Sequence, residues 1–576
     1  MCGIIGAITY KEIDINGALD SLSHRGPDNS AFYKNDNLYL GHTRLSINDL
    51  SVEANQPFED KKTNIIVVFN GEIYNYVSLQ KELKKKYEFS TNSEVEVIAK
   101  LFDKYGYKFV DYLDGMFSIA LYDKKNNELY CYRDRLGKKP FFYTIDDENK
   151  EFYFASEQKV FPNFGIKLNF DTRVLDNILN FTFYKRESIF SNILSLEPGS
   201  MLKINLNNFS ISKEKYFNLL DLIDENYYKE LSTINTMDTL DKLLDTAINK
   251  RLISDVPLAI IGSGGLDSSL IAQYANKYQK YNLLHINSVD SSELKYAKIL
   301  ADDLDVDLIY DDLNYEVFKN NLEKTLFYWE YPLVHTNAIG ILQVSQLAQK
   351  NGYKVLLGGE GADELFGGYP YHNLYLKSLY IDKYSKVIST KFLQALIYAR
   401  SDTKTANIEP TIEHIYNSSR FTKYASKYSF INNKVDRKMA SYLAGEIDEY
   451  LLPLLSRADR MSMSHGVEMR LPFLDMDIIK FALNLPLDKK LNLSNSKIIL
   501  RDIGKNRLSK KLLTRPKVGF TVDYAKRYLE ELNITILENL EQYIDSKIVI
   551  EYLKDKNQYH KILRLYSLDK ILGALI

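Results

Sequence analysis

The chain has 576 residues, 45% hydrophobic and 26% charged, which is the composition of a folded protein of at least two domains and excludes a disordered or fibrous chain. Its 74 Lys and Arg stand against 76 Asp and Glu, a formal charge of −2, so no charge excess points to nucleic acid or an anionic membrane as partner. Two cysteines and eight scattered histidines exclude a disulfide framework and the usual zinc motifs, and suit a reducing compartment.

The chain opens without a basic and apolar leader, and no apolar run reaches the roughly 18 residues that span a bilayer, so a cytoplasmic protein is expected. β-Branched and aromatic runs bounded by turn residues predict strands over 3–10, 64–69, 116–122, 129–133, 141–144 and 152–155. Apolar residues at three-to-four spacing predict helices over 76–86 and 93–105. Strands flanking a helix pair suit a layered α+β sandwich. The polar stretch 213–235 is expected as a linker. From 237 the texture becomes strand–helix alternation, with strands over 256–261, 283–289, 306–310 and 353–357 and helices over 266–277, 291–304 and 338–350. Such alternation implies a parallel sheet covered on both faces, with ligands at the carboxyl ends of its strands. Beyond 375 the pattern is almost wholly helical.

Cys2 directly follows the initiator Met, and removal of that Met would leave one residue carrying both a thiol and an α-amine. An α-amine titrates near 7.7–8.0 and can serve as the thiol's own base. Near it come Cys2-Gly3-Ile4-Ile5-Gly6, His24-Arg25-Gly26-Pro27-Asp28, Gly41-His42-Thr43-Arg44-Leu45-Ser46-Ile47 and Asn70-Gly71-Glu72-Ile73-Tyr74-Asn75. Taken singly, Arg44 reads as a solvated surface residue and Asn70-Gly71 as a turn. In this order the motifs resemble the class II glutamine amidotransferase domain, an N-terminal-nucleophile hydrolase. The resemblance implies that Cys2 attacks the side-chain amide of glutamine and that Asn70 and the Gly71 N–H hold the oxyanion. It implies equally that Arg44 clamps the α-carboxylate, with Leu45, Ile47, Asn48, Glu72 and Glu94 completing the pocket. Glu94 is a departure, since the family usually has Asp there.

Ser263-Gly264-Gly265-Leu266-Asp267-Ser268-Ser269 follows a buried-strand pattern and opens a helix. Its glycines permit close backbone approach to a phosphate, the helix end offers unpaired N–H groups, and there is no Walker lysine. Asp267 reads as a Mg2+ ligand. Further on, Gly358-Gly359-Glu360-Gly361-Ala362-Asp363-Glu364-Leu365-Phe366-Gly367-Gly368-Tyr369 sets carboxylates among glycines, too polar for a core. Then come Asp459-Arg460-Met461-Ser462-Met463, Val467-Glu468-Met469-Arg470-Leu471-Pro472-Phe473-Leu474-Asp475, Lys497-Ile498-Ile499-Leu500-Arg501 and Arg515-Pro516-Lys517-Val518-Gly519-Phe520. Together they resemble the ATP-pyrophosphatase-type synthetase domain of the glutamine-dependent asparagine synthetase family. The resemblance implies that Ile261, Ser263, Gly264, Gly265, Asp267, Ser268, Val289, Gly358 and Gly359 bind ATP, and that Asp267 and Asp363 hold Mg2+. It places Glu360 near the acceptor, where it could relieve the attacking ammonia of a proton, and gives Lys517 the charge on the α-phosphate. Lys497 and Arg501, four apart on one helix face, stay open between a surface ion pair and a functional role.

The expected architecture is thus an α+β N-terminal-nucleophile hydrolase αββα sandwich at 1–213 and a linker at 214–235. An α/β parallel-sheet ATP-pyrophosphatase domain with a helical C-terminal region follows at 236–576. The implied reaction adenylates the side-chain carboxylate of aspartate and amidates it with ammonia from glutamine, giving asparagine, glutamate, AMP and PPi. The implied partners are glutamine, ATP, Mg2+ and aspartate or another carboxylate, with no nucleic acid and no membrane; a homodimer is admitted. Gly262 and Gly358 stand where the family commonly has Leu and Ser. The stretch after Val289 is shorter than the family's acidic loop. His335-Thr336-Asn337 replaces an Asp-Pro-Ser or Asp-Ser-Ser run, which opens the alternative of a sugar acid in surface polysaccharide synthesis. On the aspartate reading Glu330 is a candidate to supply the missing acidic contact. A β-lactam-synthetase-like cyclase has no use for an intact Cys2 site, and a non-enzymatic binding protein has none for Cys2, Asp267, Asp363, Glu360 and Lys517 together.

Overall fold

The structure is a computed structural model that describes residues 2–179, 187–288, 293–384, 422–515, 524–532, 537–544 and 558–576. Val289 and Lys517 lie outside the described residues. The N-terminal part carries β1 (Gly3–Ile8), β2 (Asn29–Asn35), β3 (Leu38–Arg44), β4 (Phe58–Asp60), β5 (Ile65–Ile73) and β6 (Gly115–Asp123). It continues with β7 (Glu128–Arg133), β8 (Phe142–Asp146), β9 (Glu151–Ala155), β10 (Leu194–Ser195), β11 (Ser200–Asn205) and β12 (Ser210–Lys215). These form two antiparallel sheets, ordered β10-β8-β9-β1-β3-β2 and β12-β11-β7-β6-β5-β4.

The layering follows from period-two patterning. Ile4 and Ile8 of β1 face Ile66 and Val68 of β5 in the core between the sheets. Their alternates turn outward: Ile5 and Ala7 pack on Ala18 and Leu19 of helix Ile15–Asp20, and Val67 and Phe69 on Val95 and Ile98 of helix Glu94–Tyr105. The expected αββα sandwich is therefore present. Several of its strands were not legible in the sequence. β2 and β12 are sheet edges without a buried face, and β3, although buried, carries Gly41, His42 and Arg44 instead of an apolar run.

The C-terminal part holds β13 (Leu258–Ile261), β14 (Leu283–Ser288), β15 (Leu308–Leu313), β16 (Val355–Leu357) and β17 (Glu468–Arg470). All pair in parallel in the order β15-β14-β13-β16-β17. The chain runs from β13 to β14 and β15 on one side, then returns to β16 on the other, so the crevice between the carboxyl ends of β13 and β16 is the switch point where such sheets bind ligands. β17 departs from the helical reading of the region beyond 375. It has three residues, two of them charged, and shows no periodicity that sequence could register.

Residues 214–235 take in the end of β12 and a helix, Glu225–Leu231, capped by Asp224, whose carboxylate accepts from Tyr227 N at 2.7 Å. Leu219 and Leu231 are buried in the same core as β13 and β16, so this segment packs along the C-terminal part. Among the described residues, no helix is long and apolar enough to cross a membrane.

Candidate active sites and the interface between them

Cys2 enters β1 buried, and its main-chain nitrogen donates to Asn70 Oδ1 at 3.1 Å. The register places Asn70 and Gly71 near the end of β5, opposite Ser118 and Phe117 of β6. Gly71 has φ of 156°, and a Cβ there would stand 2.0 Å from the Met116 carbonyl oxygen, so only glycine fits. Asn70 Nδ2 is buried without a hydrogen-bond partner. A donor left open beside a thiol suits an anion that forms during reaction and vanishes afterwards.

A small pocket opens at Cys2, lined by Arg44, Leu45, Ile47, Asn48, Gly71, Glu72 and Glu94 as expected, with Asn70 behind it bonded to Cys2. Arg44 is not the solvated residue its isolated reading suggested. It is buried, and its guanidinium donates to the Ser51 carbonyl and Asn55 Oδ1 at 2.7 Å each and to the Asp49 carbonyl, drawing that loop over the pocket. Asn48 Nδ2 donates to Glu72 at 2.6 Å, and Glu94 accepts from Ile73 N at 3.0 Å. Burial pushes Glu94 up to about 7 and raises Glu72 well above the usual carboxylate range. Sequence reading missed Glu468 of β17, which lines this pocket from the C-terminal part.

The second pocket sits at the switch point. It is lined by Ile261, Ser263, Gly265, Asp267 and Ser268 after β13 and by Gly358, Gly359, Glu360 and Asp363 after β16. Gly264 shapes the first loop: its φ is +66°, and a Cβ would come within 2.4 Å of the Tyr296 carbonyl carbon and oxygen. Ser263 and Ser268 hydroxyls lie 3.1 Å apart, and Arg515 Nη1 donates to the Ser263 carbonyl at 2.6 Å while pairing with Glu293. Helix Leu266–Ala275 starts at the pocket, so the N–H groups of its first turn, which lack partners within the helix, lie beside it.

Lys497 turns out to be central. Its ammonium is buried between Asp267 at 2.6 Å and Asp363 at 2.8 Å, and those two carboxylates hold its pKa above the ordinary lysine value against the cost of burial. Arg501, in contrast, donates to the Ser496 carbonyl at 3.1 Å, a local contact. Asp267 Oδ1 is buried with no hydrogen-bond partner. Two carboxylates around one cation, one of them with an open oxygen, form a donor set that fits Mg2+ completed by phosphate oxygens.

At the same pocket, Arg457 donates to Asn337 Oδ1 at 2.8 Å and to Glu360 Oε1 at 3.1 Å. Asn337 lines the pocket, whereas His335 packs 6.3 Å, ring to ring, from Tyr450, its charge suppressed by burial and then by Arg457. Glu364 is raised to about 8 by burial and by Asp363, and accepts the Tyr369 hydroxyl at 2.6 Å. Glu330, offered above as an acceptor contact, is elsewhere. It is fully buried, accepts from Gln158 N at 2.7 Å and Lys159 N at 2.8 Å, and pairs with Arg460 at 3.0 Å. An αL cap at the end of helix Tyr315–Trp329 aims it into the interface between the two parts.

That interface is a buried ion network. Arg25, with no exposed surface, donates to the Cys2 carbonyl at 3.1 Å and pairs with Glu157 at 2.9 Å and Asp459 at 2.8 Å. Lys139 reaches Asp459 at 3.0 Å, and Arg460 reaches Glu157 at 2.8 Å. Burial opposes charge on Glu157, yet Lys159, His24 and Arg460 hold its carboxyl well below the usual range. Asp459 is likewise lowered by Arg25 and Lys139. The His24–Asp28 and Asp459–Met463 motifs, far apart in sequence, are thus two halves of one contact.

The family profile described as glutamine amidotransferase domain matches residues 1–217, and that described as asparagine synthase matches residues 239–571. The chain is 28% identical to asparagine synthetase [glutamine-hydrolyzing] 1 of Bacillus subtilis, over 96% of this chain and 93% of that one. It is 32% identical to a putative asparagine synthetase [glutamine-hydrolyzing] 1 of Methanocaldococcus jannaschii, over 86% of this chain and 82% of the other. The amidase chry2 of Gibberella zeae is 31% identical over 64% of this chain and 59% of its own length.

Proposed function

The chain belongs to the asparagine synthase family and is a glutamine-dependent ligase, and from that premise we propose that it makes asparagine from aspartate, glutamine and ATP. The observation that carries the reading is the pairing, in one chain, of a thiol pocket with an open amide donor and a switch-point pocket with a glycine-rich phosphate loop. We take 1–213 as the glutaminase domain, 214–235 as the connection and 236–576 as the synthetase domain.

With Met1 removed, the Cys2 α-amine takes the thiol proton and Sγ attacks the glutamine side-chain amide. Asn70 Nδ2 and the Gly71 N–H receive the oxyanion, a contribution of about 3–4 kcal/mol per donor. Arg44 orients the α-carboxylate. Ammonia leaves, and water releases glutamate from the thioester. In the second pocket the 263–269 loop and the helix behind it grip the pyrophosphate of ATP, and the acceptor carboxylate displaces PPi at the α-phosphate. Ammonia then attacks the acyl-adenylate, Glu360 takes a proton, and AMP leaves. Lys517 balances charge on the α-phosphate. Asp267 and Asp363 would hold Mg2+, which would supply charge neutralisation on the phosphates.

Relatives named glutamine-hydrolysing asparagine synthetases support aspartate as the acceptor. A neutral Asn337 on the pocket wall favours the second reading, a hydroxyl-bearing sugar acid. Incubation with glutamine, ATP, Mg2+ and a panel of carboxylic acids, read by mass spectrometry, decides between them. Asparagine formed in step with AMP, PPi and glutamate is the expected result. No asparagine from a preparation that still hydrolyses glutamine moves the assignment to the sugar acid.

A further inference from the structure

Successive side chains of a strand point to opposite faces, and β17 uses this at the boundary of the two domains. Glu468 lines the Cys2 pocket, and Arg470 contacts Glu72 on the wall of that pocket at 2.9 Å. Between them Met469 lines the ATP-side pocket, where a Cβ on Gly358 would meet its sulfur at 3.3 Å. Parallel pairing of Val355 with Glu468 and of Leu357 with Arg470 fixes this register. The sheet that carries the ATP loops therefore also walls the glutamine pocket.

Carboxyl groups outnumber guanidinium groups there. Glu72, Glu94 and Glu468 all line the pocket, and Arg470 contacts Glu72 at 2.9 Å and Glu468 at 2.6 Å. The other guanidinium in the wall, Arg44, is already bonded to the carbonyls of Asp49 and Ser51 and to Asn55. Asn48 spends its Nδ2 on Glu72, and its Oδ1, on the pocket wall and buried, has no hydrogen-bond partner. An excess of acceptors with one acceptor open calls for a cationic donor, and the α-ammonium of glutamine is such a group.

We infer that Glu468 is a glutamine-recognition residue, a carboxylate of the synthetase domain that binds the substrate's α-ammonium together with Asn48 Oδ1 and Glu94. The inference rests on the glutamine-hydrolysing reading and deepens it by making the glutamine pocket incomplete without the second domain. Glutamine affinity then depends on the position of β17, whose middle residue borders the ATP site.

The test is steady-state hydrolysis by the full-length protein of glutamine and of glutaramic acid, the analogue without the α-amine. Glu468→Gln should raise the KM for glutamine by about tenfold or more with kcat changed less than about threefold. Its kcat/KM for glutaramic acid should match that of the wild type. Glu468→Asp, which keeps the charge and its pairing with Arg470, should give an intermediate KM for glutamine, and it serves where the amide variant does not fold. Equal losses on both substrates would mean that Glu468 only supports the wall, and an unchanged KM for glutamine would mean that it does not touch the ligand; either overturns the inference alone. Absence of glutamine hydrolysis by the wild-type protein overturns the underlying reading as well.

Discussion

In the Cys2 pocket the expected residues sit on or next to paired strands and are fixed by backbone-anchored hydrogen bonds, Cys2 N to Asn70 and Ile73 N to Glu94 among them. In the pocket between β13 and β16 the charged residues are held by one another: Asp267 and Asp363 by Lys497, Glu360 by Arg457. The first site is preorganised before any ligand arrives, the arrangement that best stabilises a transient charge. The second carries its own counter-ion where phosphates and a metal would bring theirs, so its geometry depends on which charges are present.

The comparison breaks most sharply at Cys2. Cys2→Ala should lower glutamine-dependent synthesis by at least about a thousandfold. Ammonia-dependent synthesis, assayed in parallel, should remain. Equal loss of both would mean that the two pockets are not independent. On the other side, Asp267→Asn and Asp363→Asn should each lower synthesis by about a hundredfold or more with glutaminase activity retained. The nucleotide product of the wild type should be AMP with PPi; ADP with phosphate would refute cleavage at the α-phosphate.

Lys497 sharpens the contrast. Lys497→Ala leaves two half-buried carboxylates facing each other without the buried ammonium that neutralises them, a like-charge pair that destabilises the fold. The melting temperature should fall, and added Mg2+ should recover more of it than in the wild type. The interface network predicts a similar loss for Asp459→Asn, which strips Arg25 of one partner, together with a higher ratio of free ammonia to amide formed. A ratio unchanged from the wild type would separate the network from ammonia transfer.

The smallest effect is in pH. With Glu94 raised to about 7 by burial, its carboxyl is protonated on the acid side and cannot pair with an ammonium. The kcat/KM for glutamine should therefore rise with pH through about 7, toward tenfold per unit at the steepest. The Cys2 α-amine contributes a second limb nearer 8. Glu94→Gln should remove the first limb and leave the second; a profile that keeps both would assign the lower one elsewhere.

Much of this was legible in the sequence because the chemistry is local. A glycine with φ of +66° in the 263–269 loop, a glycine beside Asn70 that admits no Cβ, and a thiol at position 2 are each dictated by neighbours within a few residues. The strands with apolar runs were legible for the same reason, whereas β3 hid behind a neutral buried histidine, its pKa pushed by burial down to about 3. Lys497 stayed open, Glu330 was misplaced and Glu468 was missed because burial, not residue type, decides what a charge does. Sequence alone could not choose for Lys497 between a surface pair and a functional role, because the two aspartates that enclose it come from other loops.

The sequence by itself determined the two domains, their order and the chemical groups each brings, since strand period, glycine placement and motif order are properties of short segments. Only the tertiary structure decided which charges face each other. It joined Arg25 to Asp459, carried Glu330 away from the second pocket, and set β17 between the two pockets with Glu468 on one side and Met469 on the other. The physical reason is that a charge taken out of water must find its partner wherever the fold brings one, and partners hundreds of residues apart leave no trace in local pattern.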